Sequence, residues 1–355
     1  MDFKFLTHGF DTAEICYYLD MNKPAFDLDK LVVKRDGMEK KKRHKGALIE
    51  LGGKEFLLKA HGSGSGYPFI ISNPDSIIQF GEFNNPSFSV KFSSDALWHK
   101  GLDVLHKDFL SWSAALGLVQ LREESLSRID VCFDYASSEP DFDEKNFITC
   151  FRKDRKYRGH RKPETLAFGT GTMLRMYDKA KEIRESSQKE WFYDIWGQSE
   201  NVWRIEWQFR NEMLRQVGIT TLKDMDRSIG FLLNFFCNEH TSIRLPSDDS
   251  NSSRWPIHPL WLDLQERVKV YGQQKPSPRQ LDMNKIPEKI QRNIISMMGY
   301  LKHIAALSSL YEQTPPQSYF DISKNVRAAL NQLHDSLTWQ SDVQARMDQE
   351  RLKNV

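Results

Sequence analysis

The first hundred residues carry the alternation of apolar and polar side chains that is typical of β-strands. The stretch "GALIELGGKEFLLKA" (46–60) contains two such runs around a Gly-Gly pair, which predicts a hairpin. "YPFIISN", "SIIQFGEF" and "PSFSVKF" follow as further strands. From residue 94 to residue 118 the apolar spacing becomes that of a helix, with Ser94 or Asp95 as the expected N-cap.

A second set of strands and helices begins near residue 126 with the strand "LSRIDVCFDYA". "DFDEKNFITCFRK" (141–153) has the acidic start of a helix, which we expect to lead into a basic loop. "ETLAFGTGTMLRMYDKAKEIRE" (164–185) predicts two strands that turn at residues 169–171, and then a helix. "NVWRIEWQFRNEML" (201–214) predicts a long strand.

The C-terminal part is expected to be helical, with loops at 244–256 and 273–287 that are rich in Ser, Asp and Pro. One apolar stripe at helical spacing comprises Ile290, Ile294, Met297, Leu301, Ile304 and Leu307. We therefore predict an α/β (α+β) fold of two successive, antiparallel-rich mixed βα units and a helical region. The predicted domains are an N-terminal DNA-binding unit at 1–125, a catalytic unit at 126–243 and the helical region at 244–355.

Composition is that of an ordinary globular protein, with 39% hydrophobic and 28% charged residues among 355. The formal net charge is +2, so the overall charge of the chain gives no indication of a nucleic-acid partner. The longest apolar run, "IGFLLNFFC" (229–237), is too short to span a bilayer, and we expect no membrane association. The four cysteines show no CxxC spacing, which favours reduced thiols and a cytoplasmic location.

Basic residues concentrate in two stretches, 34–46 and 151–162. Each could be a solvated loop, but together they are typical of a surface that follows a phosphate backbone. The candidate DNA-binding residues in these stretches are Lys41, Lys42, Arg43, Lys153, Arg155, Lys156 and Arg158.

Three predicted strands share an unusual polar face: "RIDVCFD" (128–134), "LRMYDK" (174–179) and "WRIEWQFR" (203–210). Because strand side chains alternate between faces, each strand has one bulky apolar face. The opposite faces repeat Arg, a spacer, and then an acid or a tyrosine: Arg128 and Asp130, Arg175 and Tyr177, Arg204 and Glu206. This face could simply be solvated, as is common in antiparallel sheets.

If the three strands are neighbours, however, Tyr177, Asp130 and Glu206 converge. Two close carboxylates repel each other unless a proton or a cation joins them, and oxygen ligands suit Mg²⁺ or Mn²⁺. A free tyrosine has a pKa of roughly 10, so a metal or Lys179 would be needed to favour its phenolate. The arrangement predicts a nucleophilic tyrosine that attacks a phosphodiester, with Arg175 and Lys179 as catalytic partners and Arg204 and Arg128 as phosphate contacts.

Four motifs of the sequence resemble those of a known family. The motifs "SRIDVCFD", "TLAFGTGTMLRMYDKAKE", "WRIEWQFR" and "SRWPIHPLW" are similar, in order, to those of the replication initiation factor family (Rep-trans type). This family contains rolling-circle initiators of plasmids and phages and related relaxases of conjugative elements. The resemblance implies a site-specific endonuclease and ligase for single DNA strands. It implies that Tyr177 is the nucleophile, that Asp130 and Glu206 bind the metal, and that Asp134 is a weaker metal candidate.

The implied partners are an origin in partly single-stranded or hairpin form and a helicase of the host or the element, while pairing of two copies is left open. The chain contains no His-hydrophobic-His pair, which argues against a HUH nickase. It also contains no Gly-rich phosphate-binding loop that ends in Lys-Ser/Thr, so we expect strand separation to require another protein or supercoiling. Two alternatives remain: a conjugative relaxase on the same fold, and a non-catalytic DNA-binding regulator.

Overall fold

The structure is a computed structural model that describes residues 3–21, 27–39, 46–137, 143–159, 162–276 and 286–352. The chain divides into two compact units, Met1–Pro276 and Ser277–Val355. Among the described residues, no helix combines the length and the apolar character needed to cross a membrane.

The first unit is built on one antiparallel sheet of eleven strands, in the order β2-β3-β4-β5-β6-β1-β7-β12-β11-β10-β9. A separate two-stranded sheet pairs β8 with β13. The strands are β1 (Lys4–Asp20), β2 (Gly46–Leu51), β3 (Lys54–Lys59), β4 (Phe69–Ser72), β5 (Ser76–Phe80), β6 (Phe88–Phe92), β7 (Val119–Ala136), β8 (Phe147–Thr149), β9 (Asp154–Gly159), β10 (Lys162–Gly169), β11 (Met173–Asp178), β12 (Val202–Arg210) and β13 (Thr241–Ile243).

Eight α-helices belong to the described part of the first unit and three to that of the second. They are α1 (Leu28–Glu39), α2 (Ser94–Lys100), α3 (Leu102–Ala115), α4 (Lys179–Glu182), α5 (Phe192–Trp196), α6 (Asn211–Gln216), α7 (Leu222–Phe235), α8 (Pro259–Arg267), α9 (Ile286–Glu312), α10 (Tyr319–Leu333) and α11 (Trp339–Leu352).

The core lies on the apolar face of the central strands. Val131 and Phe133 of β7 and Trp207 of β12 are fully buried there. Trp261 of α8 packs on Trp207 with ring centroids 6.4 Å apart, and its indole N–H donates to the Cys237 carbonyl at 2.8 Å. The bulky residues that alternate along these strands are therefore core residues, as the sequence pattern predicts.

The predicted fold class is confirmed, because the structure mixes helices with a large antiparallel sheet. The hairpin at 46–60 is present as β2 and β3, and its turn contains two glycines with positive φ. The single helix predicted over 94–118 is two helices, because the chain breaks at Gly101, which has a φ of 82°. The N-cap of the first is Ser93 rather than Ser94 or Asp95, and its side chain accepts from the Ala96 amide.

Two predictions near residue 150 are wrong. The helix expected over 141–153 is only a short 3-10 turn at Glu144–Asn146, after which the chain forms β8. Phe147, Ile148 and Thr149 have aromatic or β-branched side chains, which favour pairing with β13. The basic loop that was expected next is instead β9 at the edge of the large sheet, where charged side chains discourage pairing with other chains.

The predicted domain boundary at residue 125 lies inside β7, and β1 and β7 pair along most of their length. Both predicted βα units therefore contribute strands to the same sheet. The boundary at residue 243 also falls within the first compact unit, which extends to Pro276. The functional division proposed from the sequence stays a prediction.

Gly169 closes the turn between β10 and β11, the hairpin that carries Tyr177. Its φ is 90°, and a Cβ there would lie 2.2 Å from the Thr172 carbonyl oxygen. We expect Gly169→Ala to lower the free energy of unfolding by about 1–3 kcal/mol, as measured by urea denaturation. Gly171→Ala is the matched control, because nothing lies within 4 Å of its added Cβ. Equal losses from both substitutions would contradict this account of the turn.

Candidate active site

The three strands predicted to share a polar face are direct neighbours in the sheet. β12 pairs with β7 on one side and with β11 on the other, both antiparallel. Tyr177 lies opposite Arg204, and Arg204 lies opposite Asp134. In the adjacent row, Arg175 lies opposite Glu206. The strand order that the sequence-based site requires is therefore present.

Five side chains on this face form one connected set, the tyrosine cluster: Tyr177, Glu206, Arg175, Asp130 and Arg128. The Tyr177 hydroxyl donates to Glu206 Oε2 at 2.7 Å. Arg175 pairs with the other oxygen of Glu206, and its Nη2 lies 3.4 Å from Asp130 Oδ2. Arg128 donates to both oxygens of Asp130, at 2.8 and 2.5 Å. The phenol and both acids thus converge, and Arg175 bridges the two carboxylates.

Access to the tyrosine cluster is uneven. The side chains of Asp130 and Glu206 are 2% and 3% exposed, whereas that of Arg175 is 30% exposed. Tyr177 lies one row away from Glu206 along the sheet, so its ring leans along the strand to bring the hydroxyl to the acid. A ligand from solvent would therefore meet Arg175 before either carboxylate.

Burial and like charge shape the ionisation of this cluster. Burial raises the pKa of Asp130 to about 6, although Arg128 and Arg175 oppose the effect, and the charge of Glu206 adds to the rise. Burial and the neighbouring Glu206 also raise the pKa of Tyr177 well above its ordinary value. The resting phenol therefore keeps its proton, and burial is the main reason for the raised pKa of Asp130.

Lys179 lies beside the tyrosine ring rather than at its hydroxyl. Its ammonium is 5.7 Å from the centre of the Tyr177 ring and donates to Glu182 Oε2 at 2.6 Å. Burial and the nearby Arg204 lower the pKa of Lys179. Its predicted role in favouring the phenolate stays a prediction, since its nearest described partner is Glu182.

A second polar set, the arginine cluster, lies next to the first and comprises Arg204, Asp134, Asp11 and Trp196. Arg204 donates to both oxygens of Asp134, at 2.7 and 2.8 Å, and to Asp11 Oδ1 at 2.7 Å. The Trp196 indole N–H donates to Asp134 Oδ2 at 2.9 Å. Both carboxylate oxygens of Asp134 are therefore hydrogen-bonded within the arginine cluster, whereas Asp130 and Glu206 belong to the tyrosine cluster.

Aromatic side chains enclose the arginine cluster. The guanidinium of Arg204 lies 4.5 Å from the ring centre of Phe192, which stacks on Trp196. Arg204 has no exposed surface. It was predicted to contact a DNA phosphate. In this structure its guanidinium instead donates to the carboxylates of Asp134 and Asp11 and packs against the ring of Phe192. Through these contacts Arg204 links α5 and β1 to the polar face of the sheet.

Asp130 and Glu206 are the two acids that the sequence analysis predicted to bind a metal ion. In the part of the chain that the structure describes, no group of three or more His, Cys, Asp or Glu side chains is placed to hold a metal ion. Asp130 and Glu206 are joined by Arg175, and burial together with the charge of Glu206 raises the pKa of Asp130. Two carboxylates with added water ligands are a donor set that suits Mg²⁺ or Mn²⁺.

The basic candidates fall in three groups. Lys153 and Arg155 are exposed, and Arg155 lies in the same row of the sheet as Ala167, Arg175 and Glu206. Lys156 and Arg158 belong to β9, but their side chains are outside the described set. The remaining three, Lys41, Lys42 and Arg43, lie outside the described residues.

Two residues of the arginine cluster were missed by the sequence analysis. Asp11 reaches Arg204 only because β1 pairs with β7 and shifts register between Phe10 and Thr12. Trp196 lies in α5, between β11 and β12 in the chain, and nothing in its local sequence marks it as a partner of Asp134. Neither residue carries a sequence signal, since both contacts depend on tertiary structure.

No protein-family model and no curated protein matches the sequence. Among solved structures, the chain is similar to a rolling circle replication initiator protein from Geobacillus stearothermophilus. The likeness covers 78% of this chain and 100% of that chain, at 17% sequence identity and a TM-score of 0.44.

Proposed function

We propose that the protein cleaves and rejoins one strand of DNA, with Tyr177 as the nucleophile. The observation that carries the proposal is the 2.7 Å hydrogen bond from the Tyr177 hydroxyl to Glu206, with Arg175 on the open side of the same acid. A phenol, a proton acceptor and a cation for a phosphate are thus adjacent. These are the parts that a transesterification requires.

The reaction follows from these positions. Glu206 takes the proton of Tyr177 as the phenol oxygen attacks the phosphorus of a phosphodiester. A new bond forms between that oxygen and phosphorus, and the bond from phosphorus to the 3′ oxygen breaks. The 3′ oxygen leaves with a proton supplied by water, the 5′ phosphate remains on Tyr177, and Glu206 returns the proton of Tyr177 to solvent. Because one ester replaces another, the strand can be rejoined by the reverse step without ATP.

The raised pKa of Tyr177 favours this coupling of proton transfer to attack. A neutral phenol is a poor nucleophile, so the enzyme is expected to react only when a phosphate lies against Arg175 and the proton can pass to Glu206. Arg175 would offset the charge that builds on the phosphate oxygens. Asp130 and Glu206 would hold a Mg²⁺ or Mn²⁺ ion, which would act as a Lewis acid on the phosphate.

The row of the sheet that contains Arg175 supports a path for the DNA strand. Arg155 lies in that row at the edge of the sheet, two strands from Arg175, which corresponds to roughly 10 Å. Lys153 immediately precedes β9 and is exposed. We propose that both residues bind backbone phosphates next to the cleaved one.

We assign the protein a role as initiator of rolling-circle replication on a plasmid or another mobile element, which is what the resemblance of its motifs implies. It would act at an origin that is partly single-stranded or folded as a hairpin, together with a separate helicase. A relaxase for conjugative transfer would use the same chemistry.

Mapping the covalent product tests the proposal. The protein is incubated with Mn²⁺ and supercoiled DNA that carries its own gene and the flanking segments, and the attached peptide is identified by mass spectrometry. We expect nicked circles and a nucleotide attached through its 5′ phosphate to the peptide that contains Tyr177. DNA that is bound but never nicked would favour a non-catalytic regulator, and an adduct on another residue would overturn the assignment.

The same assay tests whether Glu206 accepts the proton of Tyr177 during the reaction. We expect Glu206→Gln to slow adduct formation by roughly 10²–10⁴-fold, the range that general base catalysis contributes. Glu212→Gln, at an exposed position just beyond the same strand, is the control and should leave the rate unchanged. A Glu206→Gln protein with the wild-type rate would remove this acid from the mechanism.

A further inference from the structure

One nitrogen atom of Arg175 serves both acids of the tyrosine cluster. Its Nη2 pairs with Glu206 Oε1 and lies 3.4 Å from Asp130 Oδ2. The other oxygen of Glu206 accepts from the Tyr177 hydroxyl. The two carboxylate oxygens that meet at Nη2 therefore face one common space, and a positively charged group already fills that space.

Arg175 is held more loosely than Arg128, the other cation of the cluster. Arg128 donates through two nitrogens to the two oxygens of Asp130, and 15% of its side chain is exposed. Arg175 is 30% exposed and reaches both acids through Nη2. Its Nε is buried without a hydrogen-bond partner among the described residues. Because a two-nitrogen contact fixes a guanidinium better than a one-nitrogen contact, Arg175 is the cation that an incoming anion would draw away.

The charges of the tyrosine cluster are balanced when both acids are ionised. Two carboxylates then stand against two guanidinium groups, and the Tyr177 hydroxyl is neutral. A divalent cation that entered while Arg175 stayed would add two positive charges beside acids that are almost completely buried. Uncompensated buried charge is costly. A DNA phosphate lowers this cost, because it brings a negative charge and offers Arg175 a partner away from the acids.

We propose that Arg175 occupies the place of the divalent cation in the free protein and leaves it for a DNA phosphate when the substrate binds. This inference rests on the proposed function and adds an order of events to it. Glu206 and Asp130 become available to a cation only when Arg175 has a phosphate to bind. DNA and the cation then strengthen each other's binding by the same factor, as linkage requires. The free protein binds the cation weakly, and the catalytic groups are complete only on DNA.

Binding of Mn²⁺ to the full chain tests the exchange without any nicking. The concentration of free Mn²⁺ is followed by electron paramagnetic resonance at neutral pH. We expect Arg175→Met to lower the dissociation constant of Mn²⁺ by roughly 10-fold or more, because a competing positive charge is removed from the same oxygens. Adding Glu206→Gln to this variant should abolish the gain. Arg210→Met removes an exposed arginine of β12, and as the control it should leave the wild-type affinity unchanged.

A second titration includes DNA and uses the Tyr177→Phe protein, which cannot form the covalent adduct. A single-stranded oligonucleotide that spans the mapped cleavage position should lower its Mn²⁺ dissociation constant by roughly 10-fold or more, after subtraction of Mn²⁺ bound by the DNA alone. The same oligonucleotide should have a smaller effect when Arg175→Met is added, because the acids are then free of the guanidinium from the start. Far-ultraviolet circular dichroism shows that each variant is folded.

Three results would overturn the proposal. The first is an equal Mn²⁺ affinity of the wild type and the folded Arg175→Met protein. The second is a gain in Arg175→Met that persists with Glu206→Gln, since Mn²⁺ would then bind elsewhere. The third is an affinity of Tyr177→Phe that the oligonucleotide leaves unchanged. The proposed function fails in a different way, through an adduct on another residue or DNA that is never nicked, and in that case the titration without DNA decides the exchange alone.

Discussion

Tyr177→Phe is expected to reduce DNA nicking by at least ~10⁴-fold, since removal of a nucleophile leaves only the catalysis that binding and charge provide. The change deletes one hydroxyl and the hydrogen bond to Glu206. We therefore expect a loss of only about 1 kcal/mol in the free energy of unfolding. The measurement is the rate of nicked-circle formation from supercoiled DNA, together with binding of the same DNA by gel shift.

Tyr193→Phe is the matched control, because Tyr193 is a partly buried tyrosine of α5 outside the tyrosine cluster. Its nicking rate should equal that of the wild type. If the Tyr177→Phe protein still nicked DNA at a comparable rate, another nucleophile would be at work and the central assignment would fail. If it bound DNA as tightly as the wild type but did not nick it, binding and chemistry would be cleanly separated.

Arg204→Met is expected to produce the largest loss of stability, about 3–5 kcal/mol, because it leaves buried carboxylates without their cation. Asp134 and Asp11 both lose their bonds to the guanidinium, and Asp134 is itself completely buried. The loss should appear as a lower midpoint of urea denaturation with an unchanged slope. Adding Asp134→Asn should recover part of it, since the uncompensated charge is then removed.

Arg210→Met provides the control for this prediction. Arg210 is the exposed last residue of the same strand, so its loss should change the free energy of unfolding by no more than about 0.5 kcal/mol. An Arg204→Met protein within 1 kcal/mol of the wild type would mean that the buried charges contribute little. In that case Arg204 would be available for another role, including the phosphate contact predicted from the sequence.

Local pattern predicted the elements whose formation depends on near neighbours in the chain. The β2–β3 hairpin and the turn before β11 follow from alternating residues around glycines. Helix boundaries were less accurate, because Gly101 divides one periodic stretch and Ser93 takes the cap. Within 141–153, Asp143 does cap a short 3-10 turn. The turn does not continue as a helix, because the next residues form β8 and pair with β13, almost one hundred residues later in the chain.

The sequence by itself determined the composition of the polar face. Arg128, Asp130, Arg175, Tyr177 and Glu206 occupy alternate positions of their strands, and alternation sends all of them to the side opposite the bulky apolar residues. That property is local, since it depends only on the two-residue repeat of an extended chain. The candidate nucleophile and both acids could therefore be named without a structure.

Only the tertiary structure decided which of these groups meet and which are enclosed. The order β7-β12-β11 brings the hydroxyl of Tyr177 to Glu206, and the pairing of β1 with β7 brings Asp11 to Arg204. Asp134 thereby becomes the partner of a buried arginine, although its position in the sequence resembles that of Asp130. The reason is physical: the register between distant strands and the burial of a charge arise from packing of the whole chain, and no short segment encodes them.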